Sequence, residues 1–313
     1  MTLIVAGYEY AKSVDYSKYL DDEAKTSDPE MELEGLFVVA DSAITDANGK
    51  TLLNGFRKTY EIDVKLWKPN FSPSGSFHNY IQVFETNKIF ISFAGSTLTA
   101  QHIINSITTH LGKLRISYRR SEDGSIAYTA LRHCQNNPLE QNSSGSKWDG
   151  DTFLNRDFEG LLTGDLIACT VEYSITDALT SASKFKLEMD DFKAMHTELI
   201  AGVWCPVKKR HELYVYRMES KRDDDGVLVA YTQKRLIPEN EVVVLGMRKE
   251  FENQAQEAFN NSLSAFIPPS QEMLKFVRES IKSVEAQGKK GIALPMSLVT
   301  LKRHYLKKGF HPE

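Results

Sequence analysis

Thr2-Leu3-Ile4-Val5-Ala6-Gly7 joins a hydroxyl-bearing residue to an unbroken apolar run of strand length. Removal of Met1 would leave Thr2 as the N-terminus, directly ahead of a buried strand. A terminal threonine holds a nucleophile and a base in one residue. Its hydroxyl attacks a carbonyl while its own α-amine, with a reference pKa of about 7.7–8.0, accepts the proton near neutral pH. No separate histidine is then needed. Alone the signal is weak, because Met-Thr starts are common, so its weight depends on the segments that follow.

Three do. Gly35-Leu36-Phe37-Val38-Val39-Ala40-Asp41-Ser42 is an apolar run ending in a carboxylate. Asn54-Gly55-Phe56-Arg57-Lys58 supplies a cation, and Ile89-Phe90-Ile91-Ser92-Phe93-Ala94-Gly95-Ser96 is a strand ending at a glycine. Each has an ordinary alternative: Asp41 as a turn cap, Lys58 beside Arg57 as a solvated cation, Gly95 as a plain turn before a helix. Their order, from nucleophile to acid to lysine to glycine turn, is what favours function.

In that order and in those patterns the chain resembles the proteasome β-subunit and HslV branch of the N-terminal nucleophile (Ntn) hydrolases. The resemblance is strong over residues 2–7 and 35–110 and extends over most of the chain. It implies Thr2 as nucleophile, Asp41 and Lys58 as a supporting charged pair, and the Gly95 N–H as an oxyanion donor. An ammonium near Thr2 would lower the pKa of its amine and hydroxyl, and Asp41 would keep that ammonium charged and aimed. One oxyanion donor is typically worth about 2.7–4 kcal/mol of transition-state stabilisation. The implied fold is α+β, a four-layer αββα sandwich of the Ntn-hydrolase type with loop insertions.

The remaining segments agree with such a fold. Over 97–114, Ala100, Ile103, Ile104, Ile107, Leu111 and Leu114 fall on one helical face. Residues 198–204 and 212–217 read as strands joined by the basic turn Lys208-Lys209-Arg210, and 226–230 and 242–245 extend them into an antiparallel meander. Helices are expected over 248–264, with Phe251, Ala255, Ala258, Phe259 and Leu263 aligned, and over 271–287, with Met273, Phe276, Val277, Ile281 and Val284 aligned. The second has Pro268-Pro269-Ser270 as stop and N-cap and Gly288 beyond its end. A last strand runs from Ile292 to Leu301.

The 313 residues are read as one domain, 1–313, with three polar insertions at 9–34, 62–80 and 118–160. The third contains Asn142-Ser143-Ser144-Gly145-Ser146, the best local candidate for a mobile loop. The alternatives for these segments are a lid, a narrowed entrance or subunit interface, and tolerated surface loops.

Composition narrows the function further. The formal net charge is -4, with no long apolar segment and no secretory layout at the start, so a cytoplasmic protein without membrane partners is expected. Cys134, Cys169 and Cys205 have neither CxxC nor metal spacing, and His133-Cys134 alone is not a zinc site. Neither a phosphate-binding loop nor an interleaved basic and aromatic nucleic-acid pattern occurs. Lys302-Arg303-His304 with Lys307-Lys308 reads as a small basic patch on a solvated terminus.

The reaction expected is threonine-dependent amide hydrolysis of a peptide or protein, with neither metal nor organic cofactor. The resemblance implies a homo-oligomer, such as a ring or stacked ring, and any ATPase or regulatory partner would be another chain. Two departures from the family pattern stand out. Ala43 replaces an arginine or similar polar residue two places after Asp41, and Leu245-Gly246-Met247-Arg248 lacks the serine expected before the penultimate helix. Two other readings stay open: an Ntn amidohydrolase for a small amide, and a noncatalytic scaffold or regulatory subunit.

Overall fold

Side chains in the first half of the first strand alternate between two dry environments, which explains why residues 3–8 are apolar throughout instead of alternating with polar residues. In the computed structural model, which describes residues 2–13, 30–46, 49–141, 147–148, 150–185, 187–289 and 291–312, this strand is β1 (Leu3–Ser13). Leu3 and Val5 face a helical layer, while Ile4, Ala6 and Tyr8 face a second sheet.

The same two-sided pattern recurs in β2 (Glu30–Ala40), where Phe37 and Val39 oppose Leu36, Val38 and Ala40. The short hairpin β3 (Ile44–Thr45) and β4 (Thr51–Leu53) follows. A long hairpin, β5 (Thr59–Phe71) and β6 (Phe77–Gly95), leads into helix α1 (Thr97–Leu111). Next come β7 (Leu114–Arg120), β8 (Ile126–Leu131), the one-turn α2 (Pro138–Gln141), α3 (Gly164–Ser183) and α4 (Met189–Met195). The second half comprises β9 (Thr197–Cys205), β10 (Arg210–Arg222), β11 (Leu228–Ile237), β12 (Val243–Gly246), α5 (Arg248–Ser264), α6 (Pro269–Ala286), β13 (Met296–Lys302) and β14 (Tyr305–His311).

The architecture is mixed α and β, with two large sheets. One has five strands in the order β12-β1-β2-β13-β14, and the other has seven in the order β11-β10-β9-β6-β5-β7-β8. Three apolar clusters define the layers. The first, with Ile4, Val38, Phe90, Ile200 and Val215, lies between the sheets. The second packs α5 and α6, through Phe259 and Ile281, on the five-stranded sheet. The third packs α1 and α3, through Ile107 and Val171, on the seven-stranded sheet. Each sheet is therefore covered on both faces.

Several expectations require correction. The meander holds through β9, β10 and β11, but β12 leaves it to pair with β1, Leu3 opposite Gly246. Helix α3 was not anticipated, although Ile167, Val171, Ile175 and Leu179 recur at helical spacing and are buried. Segment 62–80 is mostly strand, turning at 72–76 through Ser72 N–H to Ser76 O (2.8 Å). Segment 118–160 contributes β8 and α2, and its Leu139, Phe153 and Phe158 join the core. Of segment 9–34, residues 9–13 and 30–34 are paired strand, while 14–29 lie outside the described residues, as do 142–146.

The C-terminal basic residues belong to the β13–β14 hairpin. Lys302 pairs with Glu34, Lys308 with Glu61 at 2.7 Å, and Arg303 N–H donates to His211 Nε2 at 2.8 Å. Two of these five basic side chains, Lys302 and Lys308, are thus paired, and all five residues are exposed.

Helix α6 starts with Pro268 as N-cap and Pro269 in its first turn, so Ser270 lies inside the helix and not at its cap. The Ser270 N–H donates instead to Oε2 of Glu9, at 3.2 Å, across from the β1 bulge. Glu9 is only 3% exposed, and burial pushes its carboxyl up to about 7 from an ordinary 4.5. The folded state therefore holds this proton more tightly than the unfolded chain. The associated stability is fully present below pH 4.5 and is lost as pH rises through about 7. Glu9→Gln, which stays neutral, is expected to gain about 3 kcal/mol on wild type between pH 4 and 8, measured by urea denaturation. A difference that does not change with pH would contradict this.

Candidate active site

Thr2 stands immediately before β1, and its backbone is held from the neighbouring strand end: the Met247 N–H donates to Thr2 O at 2.8 Å. Asp41 stands one residue past the end of β2. Its N–H donates to Leu3 O at 3.1 Å, and its Oδ1 accepts the Leu3 N–H at 2.9 Å. Its Oδ2 accepts the Ala43 N–H, also at 2.9 Å. The carboxylate is therefore fixed by two backbone donors before any side chain reaches it.

Lys58 comes from the other sheet, one residue before β5. Its carbonyl accepts the Phe93 N–H at 3.2 Å and the Ser92 hydroxyl at 3.1 Å, which orders the backbone. Its ammonium donates to Asp41 Oδ1 at 2.8 Å and to Thr2 Oγ1 at 3.0 Å. Thr2, Asp41 and Lys58 are 8%, 1% and 3% exposed. Burial pushes the Lys58 ammonium below its ordinary value of 10.5, and Asp41 acts in the opposite direction. The three residues that the sequence set in series thus meet within hydrogen-bonding distance.

Gly95 ends β6 with φ +113, a conformation L side chains rarely adopt, and a Cβ there would sit 2.1 Å from His196 O. Gly246 ends β12 with φ +80, and a Cβ there would sit 2.0 Å from Thr2 O. Each glycine closes a strand just before a helix, α1 and α5 respectively. Both line, with Thr2 and Lys58, a cavity of about 260 Å³. A side chain at either position would drive into the neighbouring backbone, so both strand ends require glycine.

The other walls were not foreseen. Ala43, Ile44 and Thr45 form one side, Phe56 and Phe93 another, and Thr97, Met247 and Glu250 the rest. Phe56 and Phe93 meet edge to face, with ring centroids 6.2 Å apart. The Gly246-helix junction repeats the Gly95-helix junction, a sequence signal that could have marked Met247 and Glu250 as wall residues. The two departures from the family pattern act through their backbones. Ala43 N–H holds Asp41, and Met247 N–H holds Thr2, while the hydroxyls on the cavity wall besides Thr2 are those of Thr45 and Thr97.

Other candidate groups lie elsewhere. Cys134 is exposed, Cys169 partly exposed and Cys205 buried, and all three are free thiols. Among the described residues, no three His, Cys, Asp or Glu side chains gather in a way that could hold a metal ion. Among the same residues no helix is long and apolar enough to cross a membrane. No known protein-family model matches the sequence, and no curated protein is significantly similar to it.

Removing one partner of a buried ion pair leaves the other charge uncompensated, typically at a cost of about 3–5 kcal/mol. Asp41→Ala is therefore expected to lose stability in that range by urea denaturation. The double variant Asp41→Ala/Lys58→Met should recover much of it. Equal losses in the single and double variants would show that Asp41 acts mainly through its backbone donors.

Proposed function

We propose that the protein is an N-terminal threonine hydrolase of the Ntn class acting on peptide or protein amides. The observation that carries this reading is the Lys58 ammonium shared between Asp41 and the Thr2 hydroxyl. The layering of helices outside two stacked sheets, with Thr2 at the start of a central strand, supports an Ntn-type sandwich.

Cleavage of the Met1–Thr2 bond is the required first step, because an amide nitrogen cannot serve as base. The freed α-amine then takes the proton from Thr2 Oγ1 as that oxygen attacks the substrate carbonyl. The Lys58 ammonium, 3.0 Å from Oγ1, stabilises negative charge growing on the oxygen. By like-charge repulsion it also favours the neutral, proton-accepting form of the amine. The Gly95 N–H is assigned to the tetrahedral oxyanion.

Collapse of that intermediate breaks the C–N bond. The α-ammonium gives its proton to the departing amine, leaving an ester on Thr2. Water, deprotonated by the same α-amine, attacks the ester, and the carboxylic acid leaves as Thr2 Oγ1 recovers its proton. Self-association into a ring or stacked ring is part of the proposal, since it would keep the site from folded neighbours.

The test is mass spectrometry of the N-terminal peptide before and after exposure to an electrophile that captures both the hydroxyl and the α-amine of a terminal threonine. The expected result is loss of Met1 and an adduct on Thr2, formed at least about a hundredfold more slowly in Lys58→Ala. Thr2→Ala should form no adduct and hydrolyse no peptide while assembling as wild type does. Retained Met1, or Met1 loss with no adduct, would overturn the proposal.

A further inference from the structure

Two formally charged side chains line the Thr2 cavity, Lys58 and Glu250. Lys58 is neutralised by Asp41 at 2.8 Å and is 3% exposed. Glu250 is in the opposite condition. It is exposed in the first turn of α5, and it takes part in no ion pair among the described residues. Its cationic neighbours do not line the cavity, and Arg248 is engaged by Glu252 at 3.3 Å. The α-amine of Thr2 must be neutral to act as base, so in the reactive state it does not balance Glu250 either. The cavity thus carries one uncompensated negative charge at a solvent-reached wall.

Resting on the hydrolase reading above, we propose that Glu250 is a specificity-determining residue, selecting substrates that carry a cationic side chain next to the scissile carbonyl. The other walls fit such a group. Ile44, Phe56, Phe93 and Met247 offer apolar surface, which suits the aliphatic stem of a lysine or arginine while its charged head stays near water. An acidic substrate side chain would meet the unpaired carboxylate and be disfavoured. Because Glu250 is open to solvent, the discrimination is modest and screened by salt.

The experiment compares short peptide amides that differ only in the residue whose carbonyl is attacked: arginine, its neutral isostere citrulline, or glutamate. Wild type, Glu250→Gln and Glu250→Lys are assayed at low and high salt, and Thr2 adduct formation with an uncharged electrophile is followed in parallel. Wild type is expected to favour arginine over citrulline about two- to fivefold in kcat/KM, mainly through KM. The ratio should shrink at high salt, fall to about one in Glu250→Gln, and turn toward glutamate in Glu250→Lys. An arginine preference that survives Glu250→Gln would overturn the inference. So would an equal drop on all three substrates, which would place Glu250 on the reaction machinery instead of on recognition. If wild type forms the adduct but shows no charge preference, only this inference fails; if it forms no adduct, the hydrolase reading fails with it.

Discussion

A lysine ammonium buried where two sheets meet is the constraint on which the rest of this structure depends. Thr2 and Asp41 come from the five-stranded sheet and Lys58 from the entry to the seven-stranded one, so the contact at 2.8 Å is also a tie between the layers. A buried charge with no partner is expensive, and the fold answers that cost with a carboxylate already oriented by the Leu3 and Ala43 N–H groups. A second of the ammonium's three N–H groups is aimed at the Thr2 hydroxyl. On the proposed reading, stability and chemistry draw on the same contact.

The two glycine junctions frame the cavity beside this buried hydroxyl. β6 and β12 belong to different sheets, yet both end at a glycine with positive φ and pass directly into a helix. At each, the backbone approaches its neighbour more closely than a Cβ would permit. Both junctions line the cavity, together with the side chains of Ile44, Phe56, Phe93 and Met247. The β3–β4 hairpin adds Ile44 and Thr45 to one side, and the first turn of α5 adds Glu250 to the other.

Much of the fold was legible because strand segments covered on both faces read as continuous apolar runs: the start of β1 and the ends of β2 and β6 announce themselves, while polar residues of their other halves were read as insertions. Helix α5 was legible to its ends, since Phe251, Ala255 and Phe259 recur at one helical face. Helix α3 carried a comparable stripe but was missed among interleaved threonines and serines. β14 could not be read from composition, because Tyr305–His311 is lysine-rich and owes its strand state to pairing with β13. The departure of β12 from the meander is a matter of tertiary pairing, which local pattern does not encode. At the site, Thr2, Asp41, Lys58 and Gly95 were selected by resemblance, and the structure brings the first three into contact and places the fourth on the same cavity. Ile44, Thr45 and Phe56 carry no local mark of their position, which depends on how the strand ends converge.

The central claim is that the Lys58 ammonium tunes a processed Thr2, and it is tested most directly by the ionisation of the Thr2 α-amine, followed by NMR of isotopically labelled threonine as pH is varied. The account predicts a titrating terminal amine with a pKa below the reference of about 7.7–8.0, returning toward that reference in Lys58→Met. A Thr2 nitrogen that does not titrate, or one whose pKa is at or above the reference and indifferent to Lys58, would contradict it.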